Sequence, residues 1–117
     1  MAFLQQLIDD VVVNSIELTS GELTIGRHPD NGLQIEDGSV SGRHAQISIN
    51  ANPDFPEFSE ASIEDLGSTN GTYVNDQPVN GKMPLKHGDS IRVAYNQFRF
   101  EQDEDTPLAK TMHILKT

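Results

Sequence analysis

The chain has 117 residues, with eight Lys and Arg against eighteen Asp and Glu, a formal net charge of −10 and no cysteine. That length suits one domain with its own core, needing no disulfide or metal staple. The charge excludes the extended basic surface that nucleic acid or an anionic membrane requires, and the lack of thiols excludes cysteine-ligated metals and thiol catalysis.

Short runs broken by turn residues set an all-β expectation. Phe3 to Ile8 and Val11 to Leu18 read as two strands joined by Asp9-Asp10. The opening decapeptide has neither a basic leader nor a long apolar run, so a cytoplasmic location is expected for the protein, or for a larger one that contains it. Ser20-Gly21 is a turn, Glu22 to Ile25 a short strand, and Pro29 to Gly32 a loop. Leu33 to Ile35 is short and extended. Ala45, Ile47 and Ile49 alternate with Gln46, Ser48 and Asn50, as in a half-buried strand. Asn52 to Pro56 is a loop; Ala61, Ile63 and Asp65 share a face of the next strand. Gly67 to Gly71 is a loop of small polar residues, after which Tyr73 and Val74 resume an extended run.

Asn75 to Pro78 and Asn80-Gly81 read as turns. Ile91 and Val93 sit in one strand, Phe98 and Phe100 in the last. About ten short strands in sequence suggest a β-sandwich. The domain is expected over residues 1–101, with an acidic tail over 102–117. In that tail Thr106-Pro107 reads as a helix start, Thr as N-cap and Pro at the first helical position. Leu108, Met112 and Leu115 then give one apolar stripe, so a short amphipathic helix is expected.

The positive charge is concentrated. Arg27 and Arg43 are the only Lys or Arg residues in the first 81 positions, a stretch with thirteen carboxylates. Arg27 follows Gly26, and Arg43 lies within Ser41-Gly42-Arg43-His44. Gly67-Ser68-Thr69-Asn70-Gly71-Thr72 adds hydroxyls and an amide. A phosphothreonine carries about −1.5 to −2 charges and several strong acceptors. It is held by a guanidinium, hydroxyl donors and exposed N–H groups, and loops at one end of a sandwich can gather these from distant positions. Arg27, Ser41 and Thr69, each at a strand–loop boundary, are the candidates.

Four segments, in order, resemble the forkhead-associated (FHA) family: Leu23 to Asn31, Val40 to Ala45, Ile63 to Asn75, and Leu85 to Ile91. The similarity covers roughly residues 3 to 101. It implies an eleven-stranded FHA-type (SMAD/FHA-like) β-sandwich, non-catalytic and without cofactor or metal, that recognises phosphothreonine on a partner in Ser/Thr kinase signalling. It assigns Arg27 to the phosphate, Ser41 and Thr69 as hydroxyl donors, and Asn70 to the backbone of the bound peptide. Gly26 and His44 become architectural, His44 bracing the loop of Ser41. Asp65-Leu66-Gly67 shapes the approach to Thr69, and Gly71 closes that loop. The family often has a basic or amide side chain after the serine, where this chain has Gly42. A short Ser39 occupies a loop position from which some relatives reach further along the ligand.

Plainer readings stand beside these. Arg27 alone reads as a solvated surface residue, Ser41 as a turn cap, and Thr69-Asn70 as a tight turn before Gly71. Arg43 is either solvated or a second phosphate contact that offsets Gly42. Ser41 and His44 with Asp65 or Asp89 formally compose a hydrolytic triad, but no nucleophile-elbow sequence accompanies them. The four dispersed histidines show no metal-ligand spacing. Thr106, with an acidic flank and a following proline, is either a helix cap or a phosphosite able to dock in this pocket or a neighbour's. A scaffold that binds partners without phosphate is the alternative function on the same fold.

Overall fold

A computed structural model of the chain describes residues 2–18, 21–51, 54–55 and 59–102. Eleven strands succeed one another: β1 (Ala2–Ile8), β2 (Val11–Leu18), β3 (Gly21–Gly26), β4 (Leu33–Gln34), β5 (Ala45–Ala51), β6 (Ser59–Asp65), β7 (Thr72–Val74), β8 (Gln77–Pro78), β9 (Lys82–Leu85), β10 (Ser90–Val93) and β11 (Asn96–Gln102). They form a six-stranded sheet, β2-β1-β11-β10-β7-β8, and a five-stranded sheet, β4-β3-β5-β6-β9. Among the described residues only β3 and β4 pair in parallel. The all-β sandwich expected from the sequence is therefore the fold. The expected C-terminal helix and Thr106 lie outside the described residues.

Alternation builds the core. Ile47 and Ile63 face each other across β5 and β6, and both are fully buried. Ile91, Val93, Phe98 and Phe100 supply the matching layer from the other sheet. Burying each such side chain is worth about 1.5–3 kcal/mol. Two strands that the sequence reading treated as turn or left unassigned are β8 and β9. β8 has only two residues, after a hairpin turn in which Asn75 and Asp76 both have positive φ, 50° and 67°. Such turns suit Asn and Asp because their backbone twist matches the flanking strands. β9 contains Pro84, which a ladder tolerates here because β9 is a sheet edge.

The strand directions gather several loops at one end. Ile25 pairs with Ala45 and Ala45 with Asp65, so the segments after β3, before β5 and after β6 leave the second sheet together. In the first sheet, Val93 pairs with Thr72, placing the β10–β11 turn beside the segment that enters β7. The Ala94 N–H donates to the Gly71 carbonyl at 3.1 Å and joins these two segments.

Phe98 is 1% exposed at the centre of this core. Phe98→Ala is expected to cost about 3–5 kcal/mol through lost burial and the cavity left behind. Urea unfolding checks it as a lowered midpoint with an unchanged slope.

Candidate functional site

Three loops meet at that end: residues 27–32, 35–44 and 66–71. The first two are pressed together by backbone bonds, from the Arg27 N–H to the Ser41 carbonyl (2.9 Å) and from the His28 N–H to the Gly42 carbonyl (3.2 Å). Gly26 makes this approach possible. A Cβ there would collide with the Gly42 carbonyl oxygen and stand 2.8 Å from Asn31 Nδ2. Asn31 is buried, and its amide donates to the carbonyls of His28 and Gly42, both at 2.7 Å. The sequence reading gave Asn31 no role of its own. Its only local signal was an asparagine in a Pro-Asp-Asn-Gly turn, which reads as loop chemistry whether or not the side chain is buried.

His44 ties the second loop to the third. Its imidazole is fully buried. Nδ1 accepts the Ser41 N–H at 3.1 Å, so the ring proton sits on Nε2 and is donated to the Gly71 carbonyl at 2.8 Å. Ser41 Oγ accepts the Thr69 N–H at 3.0 Å, which makes a direct link between two of the candidate residues. The Asn70 side-chain amide donates to the Ser39 carbonyl at 2.6 Å. One amide proton is thereby committed within the protein, while the second proton and the oxygen enter no side-chain hydrogen bond among the described residues.

Asp65 organises the third loop. One carboxylate oxygen accepts the N–H groups of Gly67 (3.0 Å) and Ser68 (3.1 Å); the other accepts the hydroxyls of Ser68 (2.6 Å) and Thr72 (2.8 Å). Ser68 Oγ in turn accepts the Gly71 N–H at 3.0 Å. Partial burial pushes the Asp65 pKa up, but the bonds from Ser68, Thr72 and Gly67 together outweigh it and hold the carboxyl below its ordinary value of 3.8. Gly71, at φ +85°, closes the loop in a conformation that L side chains rarely adopt; an added Cβ would also stand 3.0 Å from the Tyr73 ring.

The arginines divide into two pairs. Arg92 lies over the Tyr73 ring, 4.1 Å from its centroid, and Arg99 is 3.9 Å from Glu101. Arg27 and Arg43 are exposed and belong to none of the ion pairs among the described residues. Arg27 is fixed through its backbone, its carbonyl accepting Gln34 Nε2 at 3.2 Å. Arg43 lines a cleft of about 300 Å³ with His28, Asp30, Asn31 and Gly42; Arg27 does not line it.

The triad composition has no triad geometry. Both His44 nitrogens are engaged with main-chain groups, so neither serves as a base for Ser41 Oγ. Asp65 is saturated by its own loop, and Asp89 holds the Lys86 N–H and the Asn75 amide.

Two outcomes are expected. Gly26→Ala forces the first two loops apart, costs about 1–3 kcal/mol in stability and weakens ligand binding, which urea unfolding and peptide titration measure together. For Asp65, a carboxyl held below 3.8 in the folded state contributes stability that is fully present above that value and lost as pH falls through the folded pKa. The amide signals of Gly67, Ser68 and Thr72 should therefore stay constant above about pH 5 and move only below about pH 4. Asp65→Asn removes that acid step.

The sequence profile of the FHA domain matches residues 23–94. Among curated proteins, the chain is 41% identical over 70 residues to the oxoglutarate dehydrogenase inhibitor of Corynebacterium efficiens, covering 60% of this chain and 44% of that protein. It is 40% identical over 68 residues to the glycogen accumulation regulator GarA of Mycobacterium tuberculosis, covering 58% and 37%. The chain thus spans less than half the length of these relatives. A domain solved in a study of phosphothreonine-dependent FHA domain interactions superposes with a TM-score of 0.71 at 32% identity, covering 87% of this chain and 96% of that one. With the profile spanning more than half of its length, the chain belongs to the FHA domain family.

Proposed function

We propose that this chain is a non-catalytic module that binds a phosphothreonine on a partner protein in Ser/Thr kinase signalling. One observation carries the reading. In a chain of net charge −10, the two arginines at the loop end are exposed and unpaired among the described residues, while the other two are engaged. A guanidinium held by its backbone and left without a carboxylate is ready for an oxyanion.

The neighbouring groups support the same ligand. Ser41 Oγ accepts at the Thr69 N–H, which leaves its own proton to donate to a phosphate oxygen. Thr69 adds a second hydroxyl on an exposed residue. Asn70, through its remaining amide atoms, would hold the peptide backbone, and Arg43 a second edge of the phosphate or a neighbouring acidic group. The relatives are named as an inhibitor and a regulator, which supports a regulatory rather than a catalytic role for the protein that carries this domain. A cytoplasmic location is part of the proposal; among the described residues no helix is long and apolar enough to cross a membrane.

Gly42 favours a second reading, a scaffold that keeps the fold and binds partners without phosphate. Arg27→Ala separates the two. A phosphate-dependent site should lose about 2–3 kcal/mol, roughly 30- to 150-fold in affinity, on removal of a charged hydrogen-bond partner. A scaffold would bind as before. A Cβ on Gly42 meets no atom within 4 Å, so Gly42→Lys is expected to fold normally and tighten phosphopeptide binding severalfold, about 1 kcal/mol. Isothermal titration of both variants reads both outcomes.

A further inference from the structure

The loop end of the sandwich extends past the phosphate loops. The β10–β11 turn, Ala94-Tyr95, and Asn96 that follows it are bonded to two of the three loops that would hold the ligand. The Ala94 N–H donates to the Gly71 carbonyl. Asn96 Nδ2 donates to one oxygen of Asp37 at 3.1 Å, and the other oxygen accepts the Ser39 N–H at 3.0 Å. Ala94 is 1% exposed and has φ +55°, a conformation ordinarily given to glycine. This backbone is therefore held in place rather than loosely hinged. It presents Tyr95, one Cα step of about 3.8 Å further along, which is 72% exposed.

Beyond Tyr95 lies the β1–β2 hairpin. Tyr95 and Asn96 form one wall of a groove of about 440 Å³; Leu7, Ile8, Asp9 and Asp10 form the other. Ile8 is 57% exposed, and its cross-strand partner Val11 is 61% exposed. Gln6, Asp9, Asp10, Asn96 and Gln97 make most of this lining polar; within it the exposed Tyr95 and Ile8, with Val11 paired to Ile8, form a small apolar shelf, and apolar surface rimmed by polar groups marks contact surfaces. Its rim is negative: Asp9 and Asp10 are exposed and belong to no ion pair among the described residues. The shelf is continuous with the phosphate loops through the Ala94–Gly71 bond.

We propose that the ligand's chain runs from the phosphate loops over the β10–β11 turn onto this shelf. The module then selects a phosphothreonine segment that carries, a few residues away, an aliphatic or aromatic side chain followed by Lys or Arg. This inference rests on the phosphothreonine reading of the site. The apolar side chain covers Tyr95, Ile8 and Val11, and the basic one neutralises the carboxylates of the hairpin. A basic flank also resolves the conflict between a chain of net charge −10 and a ligand bearing a phosphate, since it lowers the long-range repulsion during approach.

The test is affinity selection from a degenerate phosphothreonine peptide library, with unphosphorylated and phosphoserine libraries alongside, read by mass spectrometry for the protein and four variants. Tyr95→Ser and Ile8→Ser remove the shelf. Asp9→Asn and Asp10→Asn remove the charge while suiting the positive φ of that turn, 52° and 65°. All four positions are exposed, so an unchanged urea midpoint is expected and certifies the fold. The protein should enrich an apolar residue and then a basic one on one side of the phosphothreonine. Tyr95→Ser and Ile8→Ser should flatten the apolar preference and weaken the selected peptide about tenfold, and the Asn variants should flatten the basic preference. Phosphothreonine-dependent binding with no flank preference, or with one that all four variants keep, overturns this inference and leaves the phosphate reading standing. Retention of the unphosphorylated library as strongly as the phosphorylated one overturns both. Self-association of the protein that Ile8→Ser or Tyr95→Ser abolishes, with peptide selection unchanged, assigns the shelf to a second copy and also overturns the inference.

Discussion

The site depends on one buried imidazole. His44 accepts the Ser41 N–H with one nitrogen and donates to the Gly71 carbonyl with the other, so a single rigid ring sets the spacing between two loops that are far apart in sequence. Its own backbone is in the same weave: the His44 N–H donates to Ile25 and its carbonyl accepts from Leu66, one contact on each side of the site. With the loops so spaced, Ser41 Oγ reaches the Thr69 N–H without further adjustment. A hydrogen-bonded ring inside the protein loses little entropy when ligand arrives, because its order is established on folding. The Ser41 hydroxyl and the backbone that carries Arg27 and Thr69 are thus fixed on folding.

Around that ring the protein separates two kinds of charge. Carboxylates that serve the structure are hydrogen-bonded on both oxygens: Asp65 by four donors, Asp37 by Ser39 and Asn96, Asp89 by the Lys86 N–H and the Asn75 amide. Hydrogen bonds from the Ser39 backbone and the Asn96 side chain hold the Asp37 carboxyl below its ordinary value, so it stays charged where it braces the loop. Arg27 and Arg43 at the loop end enter no ion pair among the described residues. Strong overall acidity and a specific anion site are compatible because the first acts over a Debye length of about 8–10 Å and the second over contact distances.

Much of the fold was legible in the sequence, and the unread parts have physical causes. Val11 to Leu18 announced β2 by composition and by the Asp9-Asp10 turn, and Phe98 and Phe100 marked β11 by alternation. β8 is two residues long, too short for any periodicity, and β9 carries a proline that argues against a strand until its edge position is known. The exposure of Val11, Val12 and Val13 was hidden for the same reason: whether three valines enter a core depends on β2 having one neighbour instead of two. At the site, the residue types and their order were readable, and with them the family. The bonds were not. The Ser41–Thr69 link spans 28 residues, and the role of Asn31 needs a carbonyl 11 residues away to be brought against it by Gly26.

Backbone amide spectra of labelled protein, titrated in parallel with matched phosphothreonine, phosphoserine and unphosphorylated peptide libraries, bear directly on the phosphate site. Binding of phosphothreonine by the preset loops predicts shifts centred on Arg27, Ser41, Thr69 and Asn70 with the phosphothreonine library alone. Equal shifts with the unphosphorylated library, or shifts that leave these four residues untouched, would contradict it.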